Sequence, residues 1–171
     1  MGGLGAGLTP PSDGASTRRP HCVWAARPAA RAGAAAADYA YTTLHLLRVA
    51  GLSDHESYGQ ALAGSFRARF PRLGGLVVAY LDFTPSATLD ASSFFKQAKN
   101  DGAQAIYFGG ITAHNGCSIR SQMAAVFGTG TPYLGGSGIA EDPACVRDAG
   151  SSATGISAPV RAGHPHQVSP A

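Results

Sequence analysis

Residues 105–116 read Ala-Ile-Tyr-Phe-Gly-Gly-Ile-Thr-Ala-His-Asn-Gly, an apolar strand that ends in a glycine-rich turn and passes at once into a helix. The same unit occurs earlier, where residues 47–52, Leu-Arg-Val-Ala-Gly-Leu, lead into a polar turn and a helix. Strands that alternate with helices in this way are typical of a parallel sheet. Such sheets bind ligands at the carboxyl ends of their strands, so these two turns are the first candidates for a functional site.

The pattern continues on both sides of these two units. It predicts strands at residues 47–52, 76–83, 104–108, 133–134 and 155–158, and helices at residues 37–46, 57–70, 90–100, 116–127 and 142–148. The second helix carries Tyr58, Leu62, Phe66 and Phe70 at spacings of four, which is one apolar stripe, and residues 53–56 have the pattern of a capping box at its start. Because crossovers between parallel strands are right-handed, these elements predict an α/β fold with one doubly wound, mostly parallel sheet.

The composition limits the class of protein. A chain of 171 residues with 44% hydrophobic residues is long enough for one domain with a core. The net charge of +3 comes from residues 1–36, which hold four arginines and one acid, whereas residues 37–171 hold nine basic and nine acidic residues. No nucleic-acid partner is therefore expected. No stretch approaches the roughly 18 apolar residues of a membrane span.

The two ends of the chain differ from the middle. Residues 1–36 are rich in Gly, Ala, Pro and Arg and almost lack large apolar residues, so we expect them to be disordered. Pro20, Arg27 and Arg31 interrupt any apolar run there, so no signal peptide is recognised. We expect a folded unit at residues 37–159 and a polar tail at residues 160–171.

Motifs of several enzyme classes are absent from the sequence. It contains no Gly-x-Ser-x-Gly elbow and no Gly-x-x-x-x-Gly-Lys-Ser/Thr loop, and the glycines of residues 135–138 lack the spacing of a dinucleotide fingerprint. The Asp54-His55-Glu56 run is interpreted as helix capping beside a solvated histidine rather than as an acid/base cluster. The sequence therefore predicts a protein without catalytic residues or a cofactor.

A metal site is also considered. His114, Cys117 and Cys145 are metal-ligating residue types, but they are three ligands spread over two turns, without a fourth. We therefore expect no metal.

At this point the ordered set of motifs resembles a known family. Tyr58-Gly59-Gln60-Ala61-Leu62-Ala63, the glycine exit at residues 73–75, Asp90-Ala91-Ser92-Ser93-Phe94, the run of residues 101–110, and Tyr133-Leu134-Gly135-Gly136-Ser137-Gly138-Ile139 are similar to the second lobe of type I periplasmic binding proteins. The branch that they most resemble is the branched-chain amino acid (Leu/Ile/Val) receptors of ABC transporters. The resemblance covers about residues 37–158.

The resemblance implies a function and a location. It implies one lobe of a clamshell protein that closes around a small polar solute, such as an amino acid, an amide or a related compound, and delivers it to a membrane permease. It also implies a periplasmic or extracellular location in the cell envelope.

The resemblance further implies which residues contact the ligand. Tyr58 corresponds to a family aromatic that packs on the ligand, although its place on the apolar stripe also suits a core residue. A second family contact, often an aromatic residue, directly follows the Gly-Gly turn. This chain has Ile111 at that position, with Thr112 beside it. Ser137 takes the place of an acid that neutralises the ammonium of the ligand, and a hydroxyl cannot supply that charge-assisted bond. This departure favours amides, sugar-like or aromatic solutes over α-amino acids.

The resemblance further implies that the chain covers only part of the family's architecture, because the family has a further lobe and hinge elements. We therefore expect a fragment, for which a ligand-sensing domain of a receptor or transcription regulator, or a non-functional truncated remnant, is the alternative interpretation. A regulator would require an upstream DNA-binding helix-turn-helix, which residues 1–36 do not predict.

A disulfide is the remaining expectation. Cys117 and Cys145 fall near the starts of helices that follow neighbouring strands, so their Cα atoms lie on the same rim of the predicted sheet. In an exported protein they are candidates for a disulfide, with Cys22 left over, whereas in cytosol reduced cysteines are expected.

Overall fold

The protein is described here by a computed structural model, which describes residues 23–140 and 156–158. Five strands form one sheet in the order β2-β1-β3-β4-β5, and every neighbouring pair is parallel. The strands are β1 (Arg48–Ser53), β2 (Leu76–Asp82), β3 (Ala105–Gly109), β4 (Tyr133–Gly135) and β5 (Ile156–Ser157). The helices are α1 (Val23–Thr42), α2 (Ser57–Arg69), α3 (Ser92–Asn100), α4 (Cys117–Phe127) and α5 (Ser137–Ala140). The predicted α/β class and parallel sheet are confirmed.

The sheet is covered by helices on both faces. Helices α1 and α2 pack on one face over Val49, Tyr107 and Leu134, and helices α3 and α4 pack on the other face over Ala50, Leu52, Ile106 and Phe108. Successive residues of β1 and β3 therefore enter different halves of the core, as expected of strands that are buried on both sides. This is the doubly wound arrangement that the sequence predicts.

Helix α1 corrects the expectation for the N-terminal segment. Residues 1–36 were expected to be disordered, but the helix begins at Val23, and only the part before it lies outside the described residues. Ala29 and Ala36 are buried against the α2 side of the core, and a Cβ on Gly33 would collide with the carbonyl oxygen of Leu62. Small residues let the two helix backbones approach closely, and alanine has the highest helix propensity. For residues 23–36 the expectation was wrong, because it counted only large apolar residues.

The end of α1 also differs from the predicted helix at residues 37–46. The backbone N–H groups of Thr43 and Leu44 both donate to the carbonyl oxygen of Tyr39, which closes the last turn. His45 then adopts a left-handed conformation, with φ of 54°, and a right-handed helix cannot continue through such a residue. The helix therefore ends at Thr42, and Leu46 is buried as part of the approach to β1.

The other predicted elements agree with the structure within about two residues. The predicted glycine exit is present, because Gly74 has φ of 103° after a single 3₁₀ turn, Phe70–Leu73. The predicted helix at residues 142–148 lies outside the described residues. No helix in the described part combines the length and hydropathy that a membrane crossing requires.

Candidate ligand-binding site

The candidate site lies at the carboxyl edge of the sheet, where β1, β3 and β4 are neighbours. After β1 the chain crosses to β2 on one side, and after β2 it returns to β3 on the other side. The strand order therefore reverses between β1 and β3. In open parallel sheets this reversal opens the crevice in which ligands bind.

Asp54 occupies this crevice directly after β1. Its side chain is 1% exposed, and its backbone N–H donates to the carbonyl oxygen of Gly109 at the end of β3, 3.0 Å away. One carboxylate oxygen, Oδ1, accepts the N–H of Glu56 at 3.1 Å, and the other, Oδ2, lies 2.7 Å from His114 Nδ1. A buried carboxylate needs such partners, because burial of an unpaired charge is costly.

Two glycines make room for the Asp54 carboxylate. A Cβ on Gly59, in the first turn of α2, would collide with Asp54 Oδ1 and with the carbonyl oxygen of Gly109. A Cβ on Gly110 would lie 2.9 Å from Asp54 Oδ2. The glycines of these turns therefore serve the close packing of the β1 and β3 ends around one acid.

The start of α2 is not a capping box, which corrects the sequence prediction. The residue before the helix is Glu56, and its side chain makes no capping bond. Asp54 Oδ1 instead accepts the Glu56 N–H, and Ser53 Oγ accepts the His55 N–H at 3.2 Å, each from two residues ahead. These are local turn bonds of Asp and Ser side chains. They occur because the polar residues lie one turn too early to bond the helix N–H groups.

The turn after β3, residues 111–116, contacts the ends of three other strands. Thr112 Oγ1 donates to the carbonyl oxygen of Gly138, 3.0 Å away, beyond the end of β4. His114 contacts Asp54 beyond β1, as described. Asn115, which has a left-handed φ of 66°, donates through Nδ2 to the carbonyl oxygen of Ser86 at 2.7 Å and accepts the Ser86 N–H at 3.1 Å, beyond β2. One short turn therefore ties together four strand ends, and we call residues 111–116 the hub turn.

The four predicted ligand residues lie together at this edge. Tyr58 is half-buried, and its hydroxyl lies 3.0 Å from the point that a Gly136 Cβ would occupy. Ile111 Cγ2 lies 2.7 Å from the corresponding point on Gly138, whose carbonyl oxygen accepts the Thr112 hydroxyl. Ser137 stands between these two glycines and is partly exposed. The structure thus brings Tyr58, Ile111, Thr112 and Ser137 together, and their contact with a ligand stays a prediction.

Both interpretations of Tyr58 have a structural counterpart. Leu62, Phe66 and Phe70 of the same stripe are fully buried, with the Phe66 ring stacked 4.0 Å from that of Tyr107. Tyr58, at the start of the stripe, packs against the edge of this core but remains partly accessible. Its ring therefore rests on the core while its hydroxyl reaches the β4 turn.

A second tyrosine beneath the site is fully enclosed. The Tyr107 hydroxyl is buried and has no hydrogen-bond partner among the described residues. Burial raises the pKa of Tyr107 far above its ordinary value, and the neighbouring Tyr58 and Tyr80 hydroxyls raise it further. Tyr107 is therefore a neutral part of the core at physiological pH.

Of the cysteines, only Cys117 lies within the described residues. It is disulfide-bonded at the start of α4, directly after the hub turn. Cys145, its predicted partner, lies outside the described residues, as does Cys22, so the pairing of Cys117 with Cys145 stays a prediction. Within residues 23–140 and 156–158, no three His, Cys, Asp or Glu side chains are grouped so as to hold a metal ion.

The contact between Asp54 and His114 was not predicted from the sequence. The two residues are 60 positions apart, and each was interpreted separately, as a helix cap and as part of a partial metal site. The available signal was that both follow strands with the same strand-turn-helix pattern, which a parallel sheet places at one edge.

Comparisons with known proteins agree with this fold. A protein-family model described as periplasmic binding protein matches residues 4–160. A Leu/Ile/Val-binding protein homolog from Brucella melitensis is 32% identical over 103 residues, which is 60% of this chain and 27% of that protein. A Leu/Ile/Val/Thr-binding protein from Salmonella typhimurium is 28% identical over 124 residues, which is 72% of this chain and 33% of that protein.

A solved structure of a similar protein has the same fold over the shared region. The crystal structure of a leucine binding protein from Thermotoga maritima superposes with a TM-score of 0.64 at 29% identity, over 72% of this chain and 34% of that one. The chain thus spans about a quarter to a third of the length of the relatives that it matches. The family match over residues 4–160 and the shared doubly wound sheet confirm the predicted resemblance: the chain belongs to the periplasmic binding protein family.

Proposed function

We propose that this chain provides one lobe of the solute-binding component of an ABC transporter of the branched-chain amino acid type. The observation that carries the proposal is the convergence of Tyr58, Ile111, Thr112 and Ser137 at the carboxyl edge of β1, β3 and β4. The relatives named above, which are Leu/Ile/Val- and leucine-binding proteins, support the solute class. The role is capture of a solute rather than catalysis.

The side chains suit a small solute with one apolar and one polar part. Ile111 offers an apolar surface, and Tyr58 and Ser137 are partly exposed residues that carry hydroxyl groups. The Thr112 hydroxyl hydrogen is already donated to Gly138, so toward a ligand Thr112 acts only as an acceptor. A branched aliphatic side chain against Ile111, with polar groups at the hydroxyls, matches this arrangement.

The proposal extends to the partners and the location. A protein of this family would deliver the solute to a permease in the membrane and would act in the periplasm. Within the proposed site, Thr112 and Gly138 hold the β3 and β4 turns at a fixed separation, so the solute meets a preformed surface.

The test is thermal unfolding of the full 171-residue chain with leucine, isoleucine, valine, their amides, sugars and aromatic acids. A ligand that binds the native state raises the unfolding midpoint, because it stabilises that state by an amount that grows with the logarithm of its concentration over its Kd. We expect the branched-chain compounds to raise it. A protein whose midpoint no compound shifts would contradict the proposal.

A matched pair of variants locates the binding surface. Tyr58→Ala should weaken solute affinity roughly tenfold, because an aromatic contact and its buried area are lost. Tyr39→Ala removes a tyrosine that is 42% exposed on α1 and should leave affinity unchanged. Equal affinities for the two variants would show that the solute does not rest on Tyr58.

A further inference from the structure

The pair formed by Asp54 and His114 lies in the crevice that the proposed solute would occupy. Among the described residues, Asp54 is the one acidic residue whose side chain is buried. His114 belongs to the hub turn, and its backbone N–H donates to the carbonyl oxygen of Ile111, 3.0 Å away. The imidazole therefore stands within the same turn as two of the proposed ligand residues, Ile111 and Thr112.

The bond to Asp54 determines which imidazole nitrogen is available to a ligand. The 2.7 Å contact pairs Asp54 Oδ2 with His114 Nδ1, and in the tautomer that donates from Nδ1 the carboxylate accepts this hydrogen. In the neutral ring the other nitrogen, Nε2, is then a hydrogen-bond acceptor. The His114 side chain is 31% exposed, and the ring contact to Asp54 uses Nδ1, which leaves Nε2 on the other side of the ring. A partly exposed imidazole with a fixed contact to Asp54 thus lies at the proposed binding edge.

The pair also supplies charge that the other site residues lack. Tyr58, Ile111, Thr112 and Ser137 are neutral, whereas Asp54 is an acid directly behind the imidazole. The buried carboxylate of Asp54 favours a positive charge nearby. A solute that carries a protonated amine meets this requirement, and a solute without one leaves the acceptor unused.

Building on the proposed function, we propose that His114, oriented by Asp54, is a further ligand contact, and that its Nε2 accepts a hydrogen bond from a protonated amine of the solute. The pair thereby performs the neutralising role that Ser137 cannot perform. The expected ligand is an amino acid or another primary amine, rather than a neutral sugar or a simple carboxylic acid.

The test compares two ligands that differ only in the amine, leucine and 4-methylpentanoate, on the full-length wild-type chain by calorimetry. We expect leucine to bind at least about tenfold more tightly, since a hydrogen bond to a charged group is among the stronger polar contacts. Equal affinities for the two compounds would overturn the inference without any variant. Absence of binding by either compound would remove the proposed function and this inference with it.

Two variants separate contact with the solute from support of the fold. In His114→Asn, the side-chain amide nitrogen takes the place of Nδ1 and keeps a donor for Asp54, but no atom replaces Nε2. His114→Ala removes both. We expect His114→Asn to keep the unfolding midpoint of the wild type while it loses the preference for leucine over 4-methylpentanoate. A His114→Asn protein that keeps the preference would show that His114 only supports the fold, and the proposed function would stand.

Discussion

At the scale of single residues, the carboxyl edge of the sheet depends on positions that cannot carry a side chain. Gly59 and Gly110 border the buried Asp54 carboxylate, and Gly136 and Gly138 border Tyr58 and Ile111. The proposed site is thus shaped by backbone that approaches its neighbours closely. The side chains of the site reach this edge only where these glycines leave space for them.

Two glycines of α2 provide a direct test of this packing. Gly59→Ala should lower the free energy of unfolding by about 1–3 kcal/mol, because the added methyl group collides with Asp54 Oδ1 and the Gly109 carbonyl oxygen. Gly64→Ala is the matched control, since it lies in the same helix with no atom within 4 Å of its Cβ position. It should raise the free energy of unfolding by about 0.5–1 kcal/mol through helix propensity. Urea unfolding of both variants measures the difference, and the same sign for both would contradict the described contact.

Residue-level features were partly predictable from the sequence. Glycine exits such as Gly74 were predicted, because a left-handed backbone after a helix strongly favours glycine. The contact between Asp54 and His114 was not, because it depends on how two turns 60 residues apart meet in space. Local spacing patterns do not contain that information.

At the scale of elements, the strands were predicted more accurately than the first helix. Strands β1 and β3 have an apolar middle bounded by polar or glycine-rich residues, so their positions follow from the hydropathy pattern alone. Helix α1 instead buries alanines and a glycine against α2, which gives no large apolar periodicity. Helix α1 stabilises the fold through the close approach of its backbone to that of α2 rather than through large side chains.

A pair of neighbouring alanines in α1 tests whether this helix is part of the fold. Ala36 is 4% exposed, so Ala36→Leu should lower the free energy of unfolding by about 1–3 kcal/mol through overpacking. Ala35 is exposed on the same helix, and Ala35→Leu should change it by no more than about 0.5 kcal/mol. Chemical denaturation measures both. If neither substitution had an effect, the segment before residue 37 would be unfolded, as its composition first suggested.

At the scale of the whole molecule, the sheet topology explains why the candidate site could be predicted at all. Tyr58, Ile111 and Ser137 are separated by up to 79 positions, yet each follows a parallel strand, and parallel strands end at one edge. The structure therefore brings these residues to one edge of the sheet, and their contact with a solute stays a prediction. Their chemistry toward a solute depends on hydrogen bonds, such as that from Thr112 to Gly138, which the topology does not specify.

The disulfide of Cys117 is a further whole-molecule feature. If its partner is Cys145, as predicted, reduction should lower the free energy of unfolding by about 3 kcal/mol, because the bond closes a loop of intermediate length. Cys145→Ser should produce the same loss and make the protein insensitive to reductant. Cys22→Ser is the control and should leave the effect of reductant intact. Peptide mapping under non-reducing conditions identifies the pair, and a bond from Cys117 to Cys22 would refute the prediction.

The hub turn has a mechanical consequence. Because Thr112, His114 and Asn115 are bonded to the loops that follow β4, β1 and β2, a displacement of any one loop strains the other two. The hub turn therefore opposes independent movement of these loops, and a molecule that pushes on one of them also works against the hydrogen bonds to the others.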